Sequence, residues 1–246
     1  KGRPAWDPLI VHVAEPEDIH RYTRDHSVLT EKLIRAFMPG PLTLVLPKRE
    51  CISEVVTAGR DTVAIRIPQH PVARALIRYS MTPIAAPSAN KFGRPSPTTA
   101  DHVLHDLSGE IDAVLDAGAT PLGVESTILD MTTDPPTLLR PGGVPREAIE
   151  AIVGAVRVLG RTFEEGESLP APGLTARHYA PSARVMLCAP SPEAFYGTLK
   201  DTLSRYAFVG AMRPDGWKLP ESNRLRVFEW GAWGDWETLA QRLFFG

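Results

Sequence analysis

The sequence predicts an α/β protein in two units: a larger mixed α/β domain over residues 1–159 and a smaller parallel α/β domain over 183–246, joined by a linker at 160–182. Three observations carry this. Short β-branched apolar runs alternate with helical periods through the first unit. Periodicity then stops across "GRTFEEGESLPAPGLTARHYAPS", a Gly-, Pro- and acid-bearing stretch whose length marks a functional or disordered segment. After it a strand–helix–strand alternation resumes, the pattern of a parallel sheet.

Taken in order, "LIVHV" (9–13) reads as a strand and "TEKLIRAF" (30–37) as a helix that stops at Pro39-Gly40-Pro41. "LTLVL" (42–46) and "TVAIRI" (62–67) are strands. "PVARALIRYS" (71–80) opens with proline in a first helical turn, where its missing N–H costs nothing. "TPIAAPSAN" is a strand running into a loop, and Thr98 to Asp101 matches a capping box that starts the helix "TADHVLHDL". Strands follow near "DAVLD" (112–116), "STILDM" (126–131) and "TLLRPG" (137–142), with a helix at "PREAIEAIVG" (145–154). The second unit reads as strand "ARVMLCA", helix "PEAFYGTLKDTLSRY", strands "YAFVGAM" and "RLRVFEW", and helix "DWETLAQRLF". The cationic loop that opens the chain lacks a first element before it, and the last helix stops mid-pattern. A preceding strand and further C-terminal residues are therefore expected beyond this sequence.

Charge argues against a broad electrostatic grip on nucleic acid. Residues 1–160 carry 17 Lys+Arg against 19 Asp+Glu, and the remainder 10 against 10, so no basic surface stands out. No apolar run approaches the roughly 20 residues of a membrane span, and no signal peptide opens the chain. Cys51 and Cys188 are far apart and lie in or beside apolar runs, which predicts buried thiols and fits a reducing, cytoplasmic compartment.

The common catalytic signatures, GxSxG, HExxH, GxxxxGK[ST], GxGxxG and CxxC, are absent. His102 and His105 share a helix face without a third ligand at useful spacing, so they read as a solvated face. His20, His26 and His70 stand in polar or turn contexts.

What remains is a set of polar residues at strand ends. Lys1 and Arg3 flank Gly2 before the first strand, and alternation would put both cations on one side. Ser88 and Asn90 stand in the same i,i+2 relation after "PIAA". Arg140 closes "TLLRPGG", where the glycines would let backbone approach a ligand. Ser126 follows Glu125, and Arg66 lies in an otherwise apolar strand, where a guanidinium needs a partner. Several cations with hydroxyl and amide donors, and no evident base, suit a triphosphate. Phosphoryl and adenylyl transfers depend on positioning and charge stabilisation, so they do not require a general base.

Lys1-x-Arg3 with Ser88-x-Asn90, together with "PGPLTLVL", "VAIRIP", "GVESTILD" and "LLRPG", resembles the YrdC/Sua5 family, the L-threonylcarbamoyladenylate synthases. "APGLTARHYAP" and the domain after it resemble the long, Sua5-type branch. The resemblance covers almost the whole chain. It implies a YrdC-like twisted mixed sheet with flanking helices, followed by a Rossmann-like parallel α/β domain. It implies condensation of L-threonine, bicarbonate or CO2 and ATP into threonylcarbamoyl-AMP and pyrophosphate, with Mg2+ accompanying the triphosphate. The product would pass to transferase proteins that make t6A at position 37 of tRNAs reading ANN codons.

The resemblance also implies roles. Lys1, Arg3, Ser88 and Asn90 would form the constellation around the nucleotide phosphates; Asp7, Thr62, Ser96, Arg140 and Tyr179 would contact ATP. His12, Arg66 and Ser126 would contact threonine. His178 and Tyr179 match a segment that folds over the nucleotide, making the linker a lid. Two departures stand out: the family's N-terminal "PT(E/D)T.YGL"-type motif is absent, and Asp7 occupies a position where an amide is common. A carbamoyl-AMP-forming carbamoyltransferase on the same fold and an RNA-binding module remain alternatives.

Overall fold

The computed structural model describes residues 1–164, 166–175 and 178–244. Glu165, Ala176 and Arg177 of the expected linker lie outside the described residues. Strands β1 (Ile10–His12), β2 (Leu42–Pro47), β3 (Thr62–Arg66), β4 (Ile84–Ala86), β5 (Thr127–Asp130), β6 (Thr137–Arg140) and β7 (Arg157–Val158) form one twisted mixed sheet in the order β4-β1-β3-β2-β5-β6-β7. β1 runs parallel to β3 and antiparallel to β4, so His12 faces Arg66 on one side and Ile84 on the other.

Alternation along the strands sorts side chains to two faces. Val11, Val13, Ile65, Leu44 and Leu129 pack with Ile19 of α1 (Pro16–Tyr22), Leu33 and Ile34 of α2 (Val28–Phe37), and Ile149 of α6 (Arg146–Val153). Ile10, Val45, Ala64, Ile128 and Leu139 form a second cluster on the opposite face, closed by Phe163, Leu169, Ala171 and Leu174 from the linker. Each of these larger linker side chains contributes roughly 1.5–3 kcal/mol on burial, before the entropy of ordering the segment. The linker is thus the second layer of the first domain.

Most expected elements appear, and their ends have local causes. Helix α2 starts at Ser27, whose hydroxyl accepts from Thr30 N, and ends before Pro39, which disfavours helical backbone in the residue preceding it. Helix α4 (Pro71–Ser80) has proline at its first position. The cap of α5 (Ala100–Leu107) is Thr99 rather than Thr98: its hydroxyl accepts from His102 N. The Thr98 hydroxyl instead meets the His102 ring.

Two expected strands are not strands. Residues 112–116 stay a loop with Leu115 exposed and pair with no strand. "ARVMLCA" is likewise unpaired, with Val185 and Leu187 exposed; β-propensity is realised only against a partner strand. The second sheet pairs β8 (Val209–Pro214) in parallel with β9 (Leu225–Gly231), covered by α7 (Pro192–Arg205) and followed by α8 (Trp236–Gln241). Sequence reading also passed over α1 and α3 (Glu54–Thr57), short helices with too few apolar residues to show a period. Cys51 is exposed, contrary to the expected burial, and Cys188 is half-buried. No described helix is long and apolar enough to cross a membrane.

Candidate active site

A cavity of about 260 Å³ opens on the sheet face that the linker covers. Its lining includes Lys1, Arg3, Asp7, His12, Arg66, Ser88, Asn90, Glu125, Ser126, Arg140, His178 and Tyr179. Ten of the twelve expected site positions therefore converge: Lys1, Arg3, Asp7, His12, Arg66, Ser88, Asn90, Ser126, Arg140 and Tyr179. Thr62 does not. It begins β3, four residues before Arg66, which places it about 13 Å away along the strand. Ser96 is not in the lining either, but its hydroxyl donates to Glu125, which is, at 2.5 Å.

The cationic loop reaches the cavity through Gly2, whose φ of +71° departs from the expected extended backbone, and Lys1 and Arg3 both line the cavity. Lys1 Nζ donates to the carbonyls of Ser88 and Asn90 at 2.7 and 2.6 Å. Burial and the neighbouring Arg3 pull the Lys1 pKa down. Arg3 Nε lies 3.2 Å from Asp7 Oδ2, yet Nε and Nη2 are buried without hydrogen-bond partners, as is Asp7 Oδ1. Desolvation raises the Asp7 pKa to about 6 against the pull of Arg3.

The loop 88–94 is built from within and anchored from outside. The Asn90 amide donates to the carbonyls of Lys91 and Arg94, leaving Oδ1 unpartnered. Asp106 of α5 accepts from Lys91 N and pairs with Arg94. In this arrangement both Asn90 donors are spent on the loop itself.

Arg66 points from β3 into the cavity, and its Nε donates to Gly40 O at 2.9 Å. Gly40 is required there, because a Cβ would lie 2.2 Å from Phe37 O. Burial and Arg140 lower the Arg66 pKa to about 10, so it stays cationic at neutral pH. Burial and Arg66 lower that of His12 to about 4, so the ring, 3.3 Å from Ile84 O, is neutral.

Arg140 owes its direction to a bulge. β5 and β6 pair Leu129 with Leu138 but Ile128 with Arg140, so Leu139 is the extra residue. Strict alternation would leave Arg140 on the Leu138 face, among the helices; the bulge turns it to the cavity. Its Nε and Nη2 donate to Ser126 O at 3.1 and 2.9 Å, Nη2 reaches Ser126 Oγ, and Nη1 donates to Tyr179 Oη at 2.5 Å. Ser126 Oγ also meets Thr43 Oγ1 at 2.8 Å. Gly142, after Arg140, is fixed by packing: a Cβ there would lie 2.4 Å from Glu125 O.

Tyr179 adopts a left-handed backbone (φ 54°), and its ring seats over Gly173, where a Cβ would lie 2.6 Å from the phenol oxygen. Burial pushes its pKa to about 12. His178, packed edge-on against Phe92 at 5.3 Å, is lowered to about 4 by burial and then by Arg140 and Lys1. Glu125 and Phe92 also line the cavity and went unassigned by sequence reading. For Glu125 the available signal was its place beside Ser126 in "GVESTI".

Comparison with known proteins bears on this geometry. A family model for Sua5/YciO/YrdC proteins, described as telomere recombination, matches residues 1–142. The chain belongs to the Sua5/YciO/YrdC family. A second model, described as the C-terminal domain of threonylcarbamoyl-AMP synthase, matches residues 144–246 of this Sua5/YciO/YrdC chain. The threonylcarbamoyl-AMP synthase of Pyrococcus abyssi is 50% identical over 188 residues, 76% of this chain and 55% of the relative. That of Bacillus subtilis is 50% identical over 194 residues, 78% and 56% of the two. The chain spans about half the length of these curated relatives. The crystal structure of P. abyssi Sua5 complexed with L-threonine superposes with a TM-score of 0.89 at 40% identity, over 100% of this chain and 72% of that one.

Proposed function

We propose that this Sua5-type chain is a threonylcarbamoyl-AMP synthase, joining L-threonine, bicarbonate or CO2 and ATP, with release of pyrophosphate. The observation that carries the reading is electrostatic. Among the described residues, Lys1, Arg3, Arg66 and Arg140 line one cavity against Asp7 and Glu125 alone, and two buried guanidinium nitrogens of Arg3 have no hydrogen-bond partner beyond the ion pair with Asp7. Buried positive charge in excess of its counterions is costly. A polyanion and a carboxylate would supply the missing partners.

In this reading Lys1 and Arg3 hold the ATP phosphates. Lys1 spends two of its three ammonium hydrogens on the loop carbonyls, which aims the third at the ligand. Arg66 takes the threonine carboxylate, with His12 and Ser126 beside it. Ser88 and Asn90 shape the loop around the phosphates, and Arg140 and Tyr179 close over the nucleotide. The threonine nitrogen attacks the carbon of CO2 and loses a proton, and a carbamate oxygen then displaces pyrophosphate from the α-phosphorus. The cations offset the charge that builds on the phosphoryl oxygens. A closed linker excludes water from a carbamate that otherwise decomposes.

Among the described residues no group of three His, Cys, Asp or Glu could hold a metal ion. Magnesium therefore enters this reading as part of the MgATP substrate, held by phosphate and water. The functional division is catalytic domain 1–159, lid 160–182 and C-terminal domain 183–246, in a cytoplasmic enzyme whose product passes to tRNA-modifying transferases.

ATP–pyrophosphate exchange tests the proposal. Exchange that requires both threonine and bicarbonate supports it. Exchange driven by carbamoyl phosphate instead would assign the carbamoyltransferase reading, and RNA binding with a steep salt dependence but no turnover would assign a binding module.

A further inference from the structure

The reaction proposed above gives the C-terminal domain no task, yet two separate contacts tie the end of α8 and the turn after it to segments that adjoin the cavity. The first is backbone on backbone. A Cβ on Gly123 would lie 2.3 Å from Gln241 O and 2.4 Å from Gln241 Cα, and Gly123 has a φ of +69°. Only glycine permits both the conformation and the approach. Gln241 Nε2 adds a hydrogen bond to Thr120 O at 3.4 Å. Gly123 stands two residues before Glu125, which lines the cavity.

The second contact is aromatic. Phe244 stacks on Tyr179 with ring centroids 6.5 Å apart and planes inclined by 27°. Tyr179 is the residue that closes on Arg140, and it does so with a left-handed backbone that a non-glycine residue keeps only when its surroundings hold it. A run of rings, Trp6–Phe92–His178–Tyr179–Phe244, thus passes from the cationic loop through the lid into the C-terminal domain.

We propose that the segment from the end of α8 to Phe244 is a latch: Phe244 and the Gly123–Gln241 contact are positioning elements that hold Tyr179 against Arg140 and keep the lid closed. The role assigned to closure rests on the nucleotide reading of the cavity. The latch itself is a statement about the protein without ligand.

The test uses the full-length protein. Amide hydrogen exchange at Tyr179 and at Ala180, whose N–H donates to Gly93 O at 2.9 Å, is measured without ligand in the parent, Phe244→Ala, Phe244→Tyr and Gly123→Ala. ATP affinity is measured by direct titration in the same set and in Tyr179→Ala backgrounds. Loss of one aromatic pair predicts exchange about threefold to tenfold faster at these amides in Phe244→Ala, with β2 and β3 unchanged. Gly123→Ala should reproduce this, and Phe244→Tyr should restore the parent rate. ATP should bind more weakly in Phe244→Ala by a similar factor, and that loss should vanish once Tyr179 is alanine. Unchanged exchange in both Phe244→Ala and Gly123→Ala overturns the latch, as does an ATP effect of Phe244→Ala that persists without Tyr179. If the parent binds no ATP, the functional reading fails while the exchange rates still decide the latch.

Discussion

Arg140 donates to the phenol oxygen of Tyr179 at 2.5 Å, tying the last strand residue of a β-bulge to the lid. The same guanidinium grips the Ser126 carbonyl through two nitrogens, so one side chain joins β5, β6 and the linker. Closure of the cavity and the local stability of the sheet are coupled through it.

Arg140→Ala should therefore act twice. Leaving the Ser126 carbonyl unpaired in a buried site costs about 1–3 kcal/mol of stability, read as a lower urea midpoint. The ATP requirement should rise well above any change in the threonine requirement. Arg140→Lys should not rescue either effect, because a single ammonium cannot reproduce the fork. Equal effects on both substrates would remove Arg140 from the nucleotide side.

Tyr179→Phe removes the acceptor for Arg140 but keeps the ring. Loss of one charge-assisted hydrogen bond predicts ATP binding weaker by about tenfold, with threonine affinity nearly unchanged. Gly173→Ala should approach the same phenotype from the other side, since its Cβ would displace the ring and its φ of +83° disfavours any side chain. Isothermal titration with a non-hydrolysable ATP analogue checks both.

His12→Ala and Arg66→Lys should act on the amino acid. The Arg66 guanidinium is fixed by Gly40 O and is the buried cation beside His12, so its replacement should raise the threonine KM by roughly tenfold or more. An unchanged threonine KM in both variants would place the amino acid elsewhere.

The pH dependence of stability has opposing parts. The folded Asp7 pKa is raised to about 6, so the native state binds this proton more tightly than the unfolded chain and stability falls as pH rises from about 4 to 6. The histidines His12 and His178 are depressed to about 4, so their contribution is present above pH 6.5 and is lost as pH falls toward 4. Asp7→Asn isolates the first part. The variant should gain on the parent between pH 4.5 and pH 7.5, by up to on the order of 2–3 kcal/mol, less whatever Arg3 loses with its partner. A constant difference across this range in urea denaturation would contradict the shift.

Sequence patterns revealed the architecture because the first domain's strands are buried on one or both faces, and burial leaves a period. They also located most of the cavity. Arg66 stood out as a charge in an apolar strand, and Ser88 and Asn90 as polar residues after one. Alternation is the reason for the expected direction of Lys1 and Arg3, and none is available for the direction of Arg140; a positive-φ glycine and a bulge set these directions, and neither leaves a period to read. Thr62 lies outside the cavity lining because it starts the strand whose far end carries Arg66. Glu125 escaped because its role depends on Ser96 and on backbone contacts from Gly142 and Gly143, all distant in sequence or silent in side-chain chemistry.

The central claim, that these residues form one cradle for a nucleotide and an amino acid, is tested most directly by a crystal structure of the full-length protein with a non-hydrolysable ATP analogue and L-threonine. The expected density places phosphates beside Lys1 and Arg3 and the threonine carboxylate on Arg66, under Tyr179. Ligands bound away from this cavity, or a cavity empty at saturating concentrations of both, would contradict the account.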